Sequence, residues 1–348
     1  MDILRNPYRG NPDALPALGD MPLPGDDPAR PVALIARCPE YAPTPLRAAP
    51  GLAETAGVGA LWIKDERGRM GLGSFKALGA AHVIADDAAR GDARGATYVT
   101  ASAGNHGLSV AAGARAFGAD AVVYIAGTVP ESFADRLRGQ GARVVRAGAT
   151  YEDSMAAAAA AADTHGWRLL SDSSWPGYAE RPHRLMQGYL VLMHEIAAQI
   201  PQRPTHLFLQ AGVGGLAGAV AAMARRLWGE APGIVVVEPD AAPALAASIA
   251  RGAPVHADGP VSVMGRLDCK EPSLIALRGL ARDADFFATI TEDEGRAGAQ
   301  AAAAAGLAST PSGAAGLAGL LAAGAQRETL GLGAGAKVLL ILSESAGA

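Results

Sequence analysis

TYVTASAGNHGLSVAAGARAFGADAVVYI, residues 97–125, decides the fold. An apolar run at 97–99 breaks into a turn of small residues, Ala101-Ser102-Ala103-Gly104-Asn105-His106-Gly107. A helical stretch follows over 108–117, and a second apolar run occupies 121–125. Strand, turn, helix and strand make the βαβ unit, whose crossover returns a parallel strand to the same sheet. The rhythm continues with a helix at 132–138 stopped by Gly139, a strand at 143–146, an Ala-rich helix at 151–165 and a strand at 167–170. Larger pieces follow: helix 184–198, strand 206–210, helix 216–228 and strand 234–238. Helical segments at 298–306 and 314–325 then lead to an apolar strand at 337–343. Upstream, 60–63 reads as a strand and 75–89 as a helix with Phe75, Leu78, Ala81 and Ile84 on one face. Before about residue 50, proline is dense and withholds the N–H that ladders need, so an irregular arm is expected. Alternation of this kind predicts an α/β protein with mostly parallel sheets flanked by helices.

The 348 residues suffice for two domains. The segment 88–186 has its own βαβ rhythm and is expected as a smaller, substrate-side domain inserted into a larger one formed by 1–87 and 187–348. Half the residues are hydrophobic and 18% are charged, so a sizeable core is available. A net charge of −4 gives no general attraction to nucleic acid. Cys38 and Cys269 lie in no C-x-x-C motif, which suits a reducing cytoplasm and supplies no metal framework. The Pro- and Gly-rich stretch 1–26 has no apolar core of a signal peptide. The Ala runs at 156–162 and 301–305 fall far short of the roughly 20 residues that span a membrane. The expectation is a soluble cytoplasmic protein without a membrane, nucleic-acid or metal partner.

Four constellations can carry chemistry. Lys76 follows Gly71, Gly73, Ser74 and Phe75 in the first turn of a helix. A lysine with a packed stem and a partly desolvated amine has a lowered pKa and can act as a nucleophile or Schiff-base amine. By spacing alone, a surface lysine on an amphipathic helix is the commoner meaning. The turn 101–107 exposes backbone N–H groups at a helix start, where a carboxylate can bind, or it is an ordinary capped turn. Gly212-Val213-Gly214-Gly215-Leu216-Ala217-Gly218 follows a strand and opens a helix, as a phosphate cradle does. With Glu238 ending the next strand, it also fits a dinucleotide fingerprint, which leaves a nucleotide-binding dehydrogenase open. Ser343-Glu344-Ser345 ends the last strand, where ligands of open α/β sheets sit; a hydroxyl there can meet a heterocyclic nitrogen, or the strand simply ends in polar residues at the surface.

In chain order these four resemble the fold-type II enzymes dependent on pyridoxal 5′-phosphate (PLP), and among them the diaminopropionate ammonia-lyase family. The resemblance runs from about residue 41 to 345. It rests on Thr44-Pro45-Leu46, Pro50-Gly51-Leu52, Lys64-Asp65-Glu66 and Gly71-Leu72-Gly73-Ser74-Phe75-Lys76-Ala77-Leu78-Gly79. Asp172-Ser173-Ser174-Trp175-Pro176-Gly177-Tyr178, Met186-Gln187-Gly188-Tyr189, Gln210-Ala211-Gly212-Val213-Gly214, Val263-Met264-Gly265 and Glu271-Pro272 extend it.

The resemblance implies two open, twisted, mostly parallel sheets, the smaller domain inserted in the larger, and a homodimer. It implies that Lys76 carries PLP and later moves protons, that Phe75 packs beside the ring and that Asn105 bonds its phenolic oxygen. Gly212, Val213, Gly214, Gly215 and Leu216 would hold the phosphate. Ser343 would face the pyridine nitrogen, with Ser345 its substitute if the register slips. Ser102, Ala103, Gly104 and His106 would receive the substrate carboxylate. Asp172 would recognise the substrate amine or serve in acid–base work.

The implied reaction is α,β-elimination on a small β-substituted amino acid such as 2,3-diaminopropionate, giving a 2-keto acid and ammonia. A serine, threonine or hydroxy-amino-acid dehydratase uses the same machinery with another leaving group; β-replacement and a non-catalytic descendant are further alternatives. Two departures stand out. Ala103 occupies a position where the family carries Asp, and Thr310-Pro311-Ser312-Gly313-Ala314 has Pro311 where an acid is expected. Both imply a weaker grip on a second ammonium group and activity on a single enantiomer.

Overall fold

The computed structural model describes every residue except Pro12, Ala14 and Ala348. Eleven strands form two sheets among the described residues. They are β1 (Asp2–Arg5), β2 (Leu46–Ala48), β3 (Ala60–Asp65), β4 (Thr97–Ala101), β5 (Asp120–Ile125), β6 (Arg143–Arg146), β7 (Arg168–Leu169), β8 (His206–Gln210), β9 (Gly233–Pro239), β10 (Phe286–Ile290) and β11 (Lys337–Leu342). The larger sheet has the order β1-β10-β9-β8-β11-β3-β2 and the smaller β6-β5-β4-β7. Only the outermost pairs of the larger sheet, β1 with β10 and β2 with β3, are antiparallel; the smaller sheet is parallel throughout.

The central strands are apolar on both faces because helices cover both. Alternation divides them cleanly. Leu207, Leu209, Ile234, Val236, Leu339 and Ile341 enter one core. Phe208, Val235, Val237, Val338, Leu340 and Leu342 enter another on the opposite face. The first core continues past helix Lys76–Ala89 to Tyr98, Val123 and Ile125 of the smaller sheet. The smaller sheet's far face packs Val99 and Val122 against Ala158 and Ala162 of helix Tyr151–His165.

Several expectations need correction. The stretch before residue 50 is not wholly irregular: it contains β1, helix Ala29–Ile35 and β2. Proline is absent from both strands and falls at the N-cap and in the first turn of that helix, where a missing N–H does no harm. The helix expected at 298–306 begins at Glu292, because Thr291 and Glu294 form a capping box. Strand β10 and helices Ala244–Arg251 and Leu274–Asp283 were not anticipated.

The helix expected at 184–198 is two, Glu180–Gly188 and Leu190–Gln199. Gly188 lies against helix Lys76–Ala89: a Cβ there would stand 2.4 Å from the Leu78 carbonyl oxygen and 2.9 Å from Gly79 Cα. At Gly79 it would meet Tyr189 at 2.8 Å. The two helices therefore cross almost backbone to backbone, which fixes the height of the helix that begins at Lys76. Gly188→Ala forces them apart and is expected to destabilise the fold by about 2 kcal/mol, as overpacking does. Urea unfolding of the variant checks this.

A buried ionic cluster holds the segment between β3 and Lys76. Lys64 Nζ donates to Glu195 Oε2 at 2.6 Å, Thr44 O at 2.6 Å and Gln199 Oε1 at 3.0 Å. Arg69 donates twice to Glu66, both at 2.7 Å, and twice to Glu195, both at 2.8 Å. Lys64, Glu66 and Arg69 are wholly buried and Glu195 is nearly so. Two cations balance two carboxylates, so the cluster is neutral as a unit. Glu195→Gln leaves the two cations with one carboxylate in a dry interior, and a loss of about 3–5 kcal/mol in denaturant unfolding is expected.

Candidate active site

Lys76 opens helix Lys76–Ala89 directly behind a loop in which Gly71 and Gly73 take φ of 67° and 78°. That loop is clasped by the end of β11. Ser345 N donates to Gly73 O at 2.9 Å, Phe75 N donates to Ser343 O at 3.1 Å, and Ser74 bridges Glu344. Two candidate regions some 270 residues apart are thus one piece of backbone structure.

The Lys76 ammonium forms an ion pair with the carboxylate of Asp172. Asp172 follows β7 in a segment held by Ser171 N on the Tyr178 hydroxyl and by Ser174 on Ser273. Burial pulls the Lys76 ammonium down, but the Asp172 charge outweighs it and holds the pKa well above the usual lysine range. This reverses the lowered pKa expected from sequence, which took account of desolvation without a counter-charge. Burial pushes the Asp172 carboxyl up, while the Lys76 ammonium more than offsets it and keeps it well below the usual carboxylate range.

The turn 101–107 brings the next residues to this pair. Helix Asn105–Ala116 begins at Asn105, three residues before the expected start, with Gly104 as its N-cap. Ser102 Oγ accepts from Gly104 N at 3.3 Å. His106 and the Leu170 carbonyl lie 2.7 Å apart through Nε2. A carbonyl only accepts, so Nε2 carries the hydrogen and Nδ1 is a bare acceptor; Nδ1 has no partner among the described residues. Burial pulls the imidazole pKa down, Asp172 opposing and Lys76 assisting, so the ring is neutral. Asn105 Nδ2 donates to Glu344 Oε2 at 2.6 Å, and its Oδ1 has no partner among the described residues. Ala103 is apolar and contributes only its backbone.

The glycine turn after β8 caps helix Gly215–Trp228 through Gly214, whose φ is 96°. It is packed tightly from behind: a Cβ on Gly212 would lie 2.9 Å from Cys269 Sγ, and one on Gly214 3.0 Å from Ala276 Cβ and Leu245 Cδ1. Val213 O accepts from Ser273 N at 3.0 Å, and Leu216 is buried in the following turn. Phe75 packs edge-on to Tyr189, ring centroids 4.9 Å apart, and the Lys76 Nζ lies 5.5 Å from the Phe75 centroid. Ser343, 5% exposed, ends the strand beside this cluster.

Glu238 does not serve a nucleotide. Its carboxylate accepts from Leu245 N and Ala246 N, both at 2.8 Å, and so caps helix Ala244–Arg251. A depression of about 660 Å³ lined by Arg47, Arg67 and Leu307 shares no residue with the Lys76 cluster, and both arginines are paired with Asp65. Among the described residues no cluster of His, Cys, Asp and Glu could hold a metal, and no helix is long and apolar enough to cross a membrane.

Three neighbours were missed from sequence. Tyr151, half exposed, starts helix Tyr151–His165 within electrostatic reach of Asp172. The Arg266 guanidinium overlies the 101–107 turn, 3.2 Å from where a Cβ on Gly104 would be. Glu344 faces Asn105. Local spacing marks neither Tyr151 nor Arg266, and it marked Glu344 only as part of the Ser343-Glu344-Ser345 stretch, since each contact arrives through tertiary packing.

The model for the family of pyridoxal-phosphate-dependent enzymes matches residues 38–344. The chain belongs to that family. A diaminopropionate ammonia-lyase of Salmonella typhimurium is 35% identical over 268 residues, which cover 69% of this chain and 66% of that protein. The chain thus matches slightly under two thirds of that relative's length. Human L-serine dehydratase/L-threonine deaminase is 27% identical over 258 residues, 74% of each. Escherichia coli diaminopropionate ammonia-lyase, solved with an aminoacrylate–PLP azomethine reaction intermediate, superposes with a TM-score of 0.87 at 28% identity, covering 99% of this chain and 93% of that one.

The cofactor of this PLP-dependent enzyme suits the residues present. The cluster offers an amine, an aromatic wall, a helix N-terminus whose glycines leave no room for side chains, and two buried acceptors, Asn105 Oδ1 and His106 Nδ1, that lack a protein partner. Removing the Asp172 charge leaves burial to act alone on Lys76. In the ligand-free protein, Asp172→Asn is therefore expected to lower the Lys76 pKa and to speed its acylation at pH 8. Peptide mass spectrometry reads the rate; an unchanged rate would count against the ion pair as the controlling interaction.

Proposed function

We propose that this enzyme catalyses α,β-elimination of ammonia from 2,3-diaminopropionate or a like β-substituted amino acid, leaving a 2-keto acid. The observation that carries the reading is the Lys76–Asp172 ion pair set against the turn 101–107 at the start of a helix. PLP, when bound, supplies an electron sink for the substrate's α-carbon. Gly212, Gly214 and Gly215, with Val213 and Leu216, would hold its phosphate at the start of a helix, and Phe75 would pack beside its ring. Ser343 would face its pyridine nitrogen. Lys76 would be its point of attachment and, once displaced by a substrate's amine and free of its own proton, would be placed to take the α-proton. Ser102, Ala103 and Gly104 present backbone groups to the substrate carboxylate. The His106 side chain does not fit the expected role of receiving the substrate carboxylate, because the one N–H of its neutral ring goes to Leu170 O; its Nδ1 is instead an acceptor for a substrate N–H.

In the ligand-free protein the Lys76 ammonium holds Asp172 ionised; once Lys76 is taken up by the cofactor, a substrate ammonium would be the cation that replaces it. A hydroxyl at residue 343 is a weaker proton source than a carboxylic acid, which favours prompt loss of the β-substituent over transamination. With Ala103 apolar, no carboxylate stands at that position as a second base, which supports activity on one enantiomer. Ala103 also favours a second reading, a serine or threonine dehydratase, because a hydroxyl leaving group needs no second carboxylate. The two free cysteines are consistent with a cytoplasmic enzyme, and we place it there as a homodimer.

Absorbance of the PLP-loaded protein, titrated with L-2,3-diaminopropionate, L-serine and L-threonine and followed by keto-acid assay, tests the assignment. Keto acid is expected from diaminopropionate. Lys76→Ala is expected to abolish the bound cofactor's visible band and to lower turnover by at least about 10²-fold. Keto acid from the hydroxy amino acids alone would make the enzyme a dehydratase.

A further inference from the structure

Glu344 and Asn105 are 239 residues apart in sequence and meet at the floor of the site. Glu344 is 3% exposed and Asn105 5%. Both Glu344 oxygens accept hydrogen bonds, Oε2 from Asn105 Nδ2 at 2.6 Å and Oε1 from the Thr310 hydroxyl. Thr310 Oγ1 itself accepts from Gly313 N at 2.9 Å, so its single hydrogen is left for Glu344. Two accepted bonds are the pattern of an ionised carboxylate, although burial pushes the Glu344 carboxyl up.

The Glu344 backbone is equally constrained. Its bridge to Ser74, and the bonds of Ser343 O and Ser345 N to Phe75 and Gly73, tie it to the loop that carries Lys76. Ser309 Oγ donates to Glu344 O at 2.6 Å. Gly313 lets the side chain approach: a Cβ there would stand 2.9 Å from Glu344 Cγ.

An asparagine amide can turn either its NH₂ or its oxygen toward a neighbour. An ionised carboxylate accepts only, so it selects Nδ2 and leaves Oδ1 and one N–H for a ligand. That Oδ1 has no partner among the described residues. We infer that Glu344 is a positioning residue that locks the Asn105 amide in one orientation toward the phenolic oxygen of the cofactor. The inference rests on the placing of Asn105 at that oxygen in the proposed function. A neutral side chain at 344 can donate as well as accept, and so cannot impose the choice.

The test uses the PLP-loaded protein with Glu344→Gln, Asn105→Ala and the double variant. PLP affinity is read by tryptophan fluorescence, the cofactor's environment by the wavelength of its visible band, and folding by the Tm of the cofactor-free protein. Glu344→Gln is expected to weaken PLP on the order of tenfold and to shift the band. Asn105→Ala should do the same, and the double variant should be no worse than Asn105→Ala alone. A Glu344→Gln protein with wild-type affinity and band, or effects that add in full, would overturn the inference. If Glu344→Gln does not fold, Glu344→Asp decides: the retained charge should keep the wild-type band, and a band displaced as in Asn105→Ala would overturn the inference. Wild-type PLP binding tests the functional reading separately, so the two can fail independently.

Discussion

The segment that carries Lys76 depends on a charge balance in a place without water. Lys64, Glu66, Arg69 and Glu195 form a closed set in which every formal charge faces its opposite within hydrogen-bond reach. Such a set is geometrically demanding, because a small displacement of one member strands another in a low-dielectric interior. It joins β3, the turn that leads to Lys76 and helix Leu190–Gln199. The close crossing at Gly79 and Gly188 then sets the helix from the other side. Lys76 is consequently placed by rigid elements although it follows a glycine-rich loop.

Around that fixed amine the site is electrostatically asymmetric. Asp172 is a strong carboxylate held low by its cationic neighbour, while Glu344 is a carboxylate pushed up by burial and engaged by neutral donors. The first faces the space where a substrate amine would enter; the second stands behind Asn105. Two acids of one site can therefore have unlike jobs because their surroundings separate their proton affinities.

Much of this was legible in the sequence, for identifiable reasons. Helix Tyr151–His165 and strand β8 have the bounds expected of them, the first because a capped Ala-rich run and a closing glycine punctuate it, the second because an apolar run ends in a glycine turn. Strands β1 and β2 were not legible: they are short, carry charge, and exist because a neighbouring edge accepts them. Lys76, Asn105, Asp172, the glycine loop and Ser343 were singled out before their proximity was known, and the fold gathers them. Tyr151 and Arg266 were not, and Glu344 stood in the Ser343-Glu344-Ser345 stretch without a role of its own, because no local period reports a contact made across the molecule. Glu238 misled for a related reason. Its place after a glycine-rich unit fits a nucleotide acid, yet its two oxygens are occupied by a helix start.

The clasp between 73–75 and 343–345 has a consequence for the order of assembly. On the ribosome, the loop bearing Lys76 emerges some 270 residues before the strand end that secures it. The lysine, the glycine turn and the 101–107 turn can all be made while the fourth wall is still being synthesised. The clasp therefore cannot form until residues 343–345 have emerged. Contacts of such long sequence separation slow folding. Here they also ensure that the reactive amine acquires its finished geometry only once residues 343–345 have been made.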